Sequence, residues 1–70
     1  MINIGIKNEL IYVNYLNNKK VSELNPLIQE LLYKVFNKIN DNNTVTARRS
    51  DLAEKTDIIV TINEEERNFS

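Results

Sequence analysis

The first residues of the chain alternate between apolar and polar side chains. A period of two is typical of a strand with one buried face, so we predict a strand over residues 2–7. After a polar break at residues 8–9, residues 10–16 form a second run that is rich in β-branched and aromatic side chains. Together the two runs predict an N-terminal β-hairpin.

A clear helical period follows. Asn25 can cap a helix whose first residue is Pro26, where the missing N–H has no cost. The apolar residues from there recur at helical spacing along one broad stripe, and they are Leu27, Ile28, Leu31, Leu32, Val35, Phe36 and Ile39. The pattern predicts one long amphipathic helix of about four turns that ends at the polar residues 40–43.

The last third of the chain is less regular. Residues 44–48 favour a strand by their β-branched content, although residues 47–55 could form a short helix. Residues 58–62 are apolar or β-branched throughout and predict a further strand. The resulting order is ββαββ, or ββααβ with the alternative helix. We therefore predict a single small α+β domain over residues 1–63 and a charged, frayed or weakly helical C-terminal tail over residues 64–70.

Composition mainly excludes functions. The 70 residues contain neither Cys nor His and only one Gly, so a Cys nucleophile, the His that most often serves as general base, the usual transition-metal ligands and phosphate-binding loops are missing. We expect a protein that is not an enzyme and that uses no cofactor or metal. The beginning of the chain has no features of a signal peptide, and no run approaches 18 apolar residues, so we expect a cytoplasmic protein without membrane association.

The second predicted strand is apolar on both faces. If its odd-numbered residues pack beneath the helix, Leu10, Tyr12 and Leu16 project from the opposite face. Residues 44–58 could fold across that face, or the face could bind a second copy or another protein. A chain this short buries only about 60% of its unfolded surface, and such chains often associate.

Charged residues suggest two further surfaces, although the net charge is only −1. A basic set could contact nucleic acid, and it comprises Lys19, Lys20, Arg48, Arg49 and Lys55. Neighbouring strand residues point to opposite faces, so only one of the two arginines would reach a shared surface. An acidic set could mimic DNA and bind a DNA-binding protein, and it comprises Asp51, Glu54, Asp57, Glu64, Glu65 and Glu66.

Two segments resemble known families. Residues 46–58, with Leu52-Ala53 followed by Thr56, Asp57 and Ile58, resemble the first helix and turn of a helix-turn-helix DNA reader. That resemblance implies a recognition helix over residues 59–66. The order of helix 31–39, turn 41–43, strands 45–49 and 58–62 and acidic residues 64–66 resembles the DinI group of small acidic regulators. That resemblance implies binding to the RecA filament through an acidic helix.

The sequence therefore predicts a small regulator or inhibitor that acts by protein–protein interaction, as a homodimer or with another protein. Abundant Asn and Ile would suit a phage or mobile-element origin. The alternatives are a small DNA-binding regulator and an acidic DNA mimic.

Overall fold

The computed structural model of the protein describes residues 2–50 and 57–70. Its helices are α1 (Glu9–Leu16) and α2 (Pro26–Val35), with a single 3-10 turn at Val21–Glu23 between them. Its strands are β1 (Lys19–Lys20), β2 (Thr44–Arg49), β3 (Ile58–Ile62) and β4 (Glu65–Phe69). They form an antiparallel sheet in the order β1-β2-β3-β4. The α+β class is confirmed, and the predicted orders ββαββ and ββααβ are wrong.

Residues 10–16 form helix α1 instead of the predicted strand. The Asn8 side chain caps this helix by accepting hydrogen bonds from the backbone N–H groups of Leu10 (3.1 Å) and Ile11 (3.4 Å). The apolar residues of α1 surround the whole helix, so no period of 3.6 is visible in the sequence. β-propensity is a weak preference that capping and packing override here.

Residues 2–6, which we call the leading segment, run beside β4 over residues 2–4 and bend at Gly5, and they do not form a hairpin with the residues after them. Ile2 makes an isolated parallel bridge with Phe69 of β4. Three backbone hydrogen bonds hold the segment to that edge of the sheet. They join Ile2 N to Asn68 O (2.8 Å), Ser70 N to Ile2 O (2.8 Å) and Ile4 N to Ser70 O (2.6 Å). The prediction of a strand over residues 2–7 is therefore wrong, since Ile2 makes only an isolated bridge, and its partner β4 lies far away in the sequence.

Helix α2 begins as predicted and ends earlier. The Asn25 side chain accepts a hydrogen bond from Leu27 N at 2.8 Å, and Pro26 occupies the first helical position. The helix stops at Val35 because Phe36 is extended and Lys38 has a positive φ of 55°. Its last carbonyl, that of Val35, accepts a hydrogen bond from Arg67 Nε at 3.2 Å. A cation at this end complements the helix dipole.

The core lies between one face of the sheet and the two helices. Register places Ala47 opposite Val60 and Ile58 opposite Phe69, so alternate residues of three strands share the covered face. The buried strand residues are Val45, Ala47, Ile58, Val60, Ile62 and Phe69. Leu16 of α1 and Leu32 of α2 are buried in the same cluster. The fold is thus one layer of helices on one sheet.

Most of residues 64–70 form β4, so the prediction of a frayed or helical tail is wrong in its secondary structure. Phe69 is only 2% exposed. On the same face, Arg67 lies over the Phe36 ring, 5.4 Å from its centroid, and pairs with Glu65 at 2.9 Å. A charged sequence does not predict a strand with one buried face. Here the two inward-facing side chains, Glu65 and Arg67, neutralise each other, and Arg67 also caps α2.

The turn between β3 and β4 consists of Asn63 and Glu64, both with positive φ (52° and 69°). Two such residues form the hairpin turn whose second position favours glycine. Replacing Glu64 by Gly should raise the free energy of unfolding by about 0.5–1 kcal/mol, because it removes left-handed strain at some cost in chain entropy. Urea denaturation measures this. The control Glu64→Ala removes the same charge but keeps the strain, so equal gains for both variants would contradict the explanation.

Candidate interaction surface

Helix α1 exposes large apolar side chains although it also packs on the core. Leu10, Ile11 and Tyr15 are 52%, 65% and 40% exposed, and Leu27 in the first turn of α2 is 75% exposed. The Tyr15 hydroxyl accepts a hydrogen bond from the backbone N–H of Asn25, two residues before Leu27. This contact places the outward side of α1 beside the start of α2. We call Leu10, Ile11, Tyr15 and Leu27 the exposed apolar surface.

The three residues predicted as an interface do not stay together. Leu16 is buried in the core, and Tyr12 is half-buried and packs against it, so of these three only Leu10 is well exposed. Residues at even positions share one face of a strand. In a helix each residue is rotated by about 100° from the one before it, so the same three residues lie on different sides. The sequence analysis missed Ile11, Tyr15 and Leu27 because it assigned all three to the core. The signal that could have found them is an eight-residue segment that is apolar on every side.

An apolar crevice lies between the helices and the sheet. It is lined by Ile4, Tyr12, Leu16, Ile28, Leu31, Leu32, Ile58, Val60 and Phe69. Its volume is about 10 Å³, which is at the lower limit for one water molecule. Sites for small ligands typically measure about 300–1,000 Å³. The crevice is therefore a small gap in packing and cannot hold a metabolite.

The basic residues of the predicted nucleic-acid set do not converge on one surface. Arg48 pairs with Glu66 at 3.1 Å on the open face of the sheet, and Arg49 pairs with Glu9 of α1 at 2.8 Å. Lys19 and Lys20 lie at the other end of β2, opposite Val45 and Thr44. Lys55 lies outside the described residues. Exposed ion pairs of this kind contribute little to stability, but they engage both arginine side chains in contacts within the protein.

The acidic residues are also divided. Glu64 lies in the exposed turn, Glu65 pairs with Arg67, and Glu66 pairs with Arg48. Asp51 and Glu54 lie outside the described residues. Two of the three consecutive glutamates are thus compensated by arginine. Glu65 and Glu66 also point to opposite faces of the sheet because their positions alternate along β4.

The two family resemblances disagree with the secondary structure. Residues 46–49 and 58–62 are strands, so there is no recognition helix over residues 59–66. The acidic residues 64–66 belong to a turn and to β4, and they do not form the acidic helix implied by the DinI group. The helix-turn-helix residues Leu52, Ala53 and Thr56 lie outside the described part of the chain.

Two acidic side chains have unusual surroundings. Asp57, just before β3, is 2% exposed, and neither carboxylate oxygen has a hydrogen-bond partner among residues 2–50 and 57–70. Asp41 accepts a hydrogen bond from the Tyr33 hydroxyl. This hydrogen bond raises the pKa of Tyr33, and loss of solvation and the Asp41 charge raise it further. Tyr33 is 44% exposed, so its contact fastens the loop after α2 at the protein surface.

Within residues 2–50 and 57–70, no group of three or more His, Cys, Asp or Glu side chains could hold a metal ion. In the same residues, neither helix is long and apolar enough to cross a membrane.

Comparison of the chain with protein families, with curated proteins and with solved structures finds no match. The exposed apolar surface is therefore the feature of the described structure on which a functional argument can rest.

Proposed function

We propose that this protein is a small non-catalytic regulator or inhibitor that acts by binding a second copy of itself or another protein. The observation that carries the proposal is the outward face of α1, where Leu10 and Ile11 are more than half exposed. A helix that is apolar on all sides normally lies buried. Contiguous exposed apolar side chains on a small protein often mark an interaction site.

The neighbouring side chains support the same interpretation. Tyr15 combines apolar area with a hydroxyl that is fixed by its hydrogen bond to Asn25, and Tyr is enriched at protein interfaces. Leu27 extends the apolar area onto α2. The two helices are joined by the Tyr15 contact, so a partner would meet a preformed surface.

Replacing Ile11 by Lys should weaken association at least tenfold, because it puts a charge into the centre of the apolar surface. Light scattering over a concentration series measures the solution mass of the wild type and of the variant. Thr46→Lys is the control, since Thr46 is exposed on the open face of the sheet, away from both helices. Tyr12 is unsuitable for this test because it lines the core crevice, and a charge there would unfold the protein.

The result depends on the partner in a defined way. If the wild type is a dimer that Ile11→Lys dissociates and Thr46→Lys preserves, the result supports self-association. If the wild type is a monomer at all concentrations, the partner is a host protein that binds the wild type and Thr46→Lys but does not bind Ile11→Lys. The proposal is wrong if Ile11→Lys behaves like the wild type in both measurements.

A further inference from the structure

The leading segment (residues 2–6) is attached to the rest of the protein by an interface that a second copy could supply equally well. Its three backbone hydrogen bonds all go to residues 68 and 70 at the edge of the sheet. Ile2 and Ile4 are half-buried and Ile6 is buried. The structure thus shows which sequence fits this edge of β4, namely an extended segment with isoleucine at every second position.

The connection between the leading segment and α1 is short and bent. Gly5 has a φ of 73°, a conformation that L side chains rarely adopt, and no atom lies within 4 Å of the position that a Cβ would occupy there. Lys7 and Asn8 follow as exposed residues, and Asn8 already caps α1. Ile6 belongs to the buried part of the segment, so Lys7 and Asn8 are the residues that would change conformation for the segment to reach another molecule.

We propose that two copies of the chain exchange their leading segments, so that residues 2–6 of each copy pair with β4 of the other. This inference rests on the self-association in the proposed function and specifies its geometry. Exchange keeps every contact of the segment with β4, and it is a low-cost route to a symmetric dimer. The partner is therefore a second copy of this chain.

The position of the exposed apolar surface supports the exchange. Leu10 and Ile11 lie in the first turn of α1, two and three residues after Asn8. In an exchanged dimer the two connections cross next to each other, and this brings the first turns of the two α1 helices together. Their exposed leucine and isoleucine side chains would then be covered, which accounts for apolar residues that the single chain leaves in water.

A pair of introduced cysteines can distinguish the exchanged dimer from the unexchanged chain by the disulfide that forms. The sequence contains no other cysteine that could compete. The parallel bridge of Ile2 with Phe69 places Asn3 next to Ser70 in the same register. In the double variant Asn3→Cys with Ser70→Cys, an exchanged dimer gives a covalent dimer after oxidation, and an unexchanged chain gives a covalent monomer. Non-reducing gel electrophoresis separates the two, and refolding and oxidation at high dilution provides the covalent monomer as a positive control.

We expect mainly covalent dimer at concentrations where light scattering shows a dimer. Covalent monomer at those concentrations would overturn the exchange and leave association through the exposed apolar surface intact. If light scattering shows only monomers and the double variant gives only covalent monomer, both the exchange and self-association are wrong. A double variant that forms neither disulfide would also overturn the exchange, because residues 2–4 would then pair with β4 in neither arrangement.

Discussion

Replacing Phe69 by Ala should remove roughly half of the protein's free energy of unfolding at 25 °C. Phe69 is 2% exposed and pairs with Ile58, which is fully buried. Truncation of a buried phenylalanine typically costs about 3–5 kcal/mol. A chain of 70 residues has a total stability of roughly 4–10 kcal/mol. The loss is therefore about half of a mid-range stability, and circular dichroism during urea denaturation would measure it.

The neighbouring residue provides the control for this prediction. Asn68 lies on the opposite face of β4, is only partly buried, and contributes its backbone carbonyl to the contact with Ile2. Asn68→Ala keeps that carbonyl, so we expect a change within about 0.5 kcal/mol, as for surface substitutions in general. If Phe69→Ala were as mild as Asn68→Ala, β4 would not be part of the core.

Replacing Asp57 by Asn should stabilise the protein by about 1–3 kcal/mol, since a neutral amide costs less to bury without a partner than a carboxylate. Asp57 is 2% exposed, and neither of its side-chain oxygens has a partner within the described part of the chain. For a domain of this size, each kcal/mol raises the midpoint of thermal unfolding by about 4–8 °C. Calorimetry at neutral pH would detect the increase.

Asp41→Asn is the matched control for this substitution because it removes the same charge from an exposed position. Asp41 accepts the Tyr33 hydroxyl, so we expect a small loss of stability or none. A lower unfolding temperature for Asp57→Asn than for the wild type would show that the Asp57 carboxylate has a favourable partner in solution.

The sequence predicted the parts of the fold whose signals are local. Helix α2 was recognisable from Asn25, Pro26 and its apolar stripe, and strands β2 and β3 from their β-branched residues. In these three elements the intrinsic secondary-structure propensity of the residues and their packing in the core favour the same conformation. The capping and strand signals are contained in the elements themselves, so a single sequence was sufficient to find them.

The remaining elements depend on distant contacts. Helix α1 has the composition of a strand and is a helix because Asn8 caps it and Leu16 packs in the core. Strand β4 has the composition of a tail, and it pairs because Phe69 and the Glu65–Arg67 pair fit the end of α2. The residues that pack against Leu16 and β4 lie far away in the sequence, so local patterns could not reveal them, whereas the Asn8 cap is local and was interpreted as a polar break.

The abundance of asparagine is largely explained by structure. Asn8 and Asn25 cap the two helices, Asn17 Oδ1 accepts the Ala47 N–H at 3.0 Å, and Asn18 and Asn63 adopt positive φ. These roles use a short polar side chain that imitates the backbone and tolerates left-handed conformation. Base composition alone therefore does not account for the enrichment.

The sequence analysis did not find the exposed apolar surface because it assigned residues 10–16 to a strand. Once residues 10–16 are a helix, Tyr12 and Leu16 turn inward and Ile11 and Tyr15 turn outward. The prediction that this segment has an unsatisfied apolar side was physically sensible, and the assignment of individual residues to that side required the helix.

The pairing of the leading segment with residues 68 and 70 has a consequence for synthesis on the ribosome. Residues 2–6 leave the ribosome about sixty residues before their partner strand β4 (Glu65–Phe69). At about 5–20 residues per second, their isoleucines remain uncovered for several seconds. Throughout that time a segment on one nascent chain can meet the completed sheet of a protein just released from the same messenger RNA. Translation on crowded polysomes would therefore favour the exchanged form over the single chain.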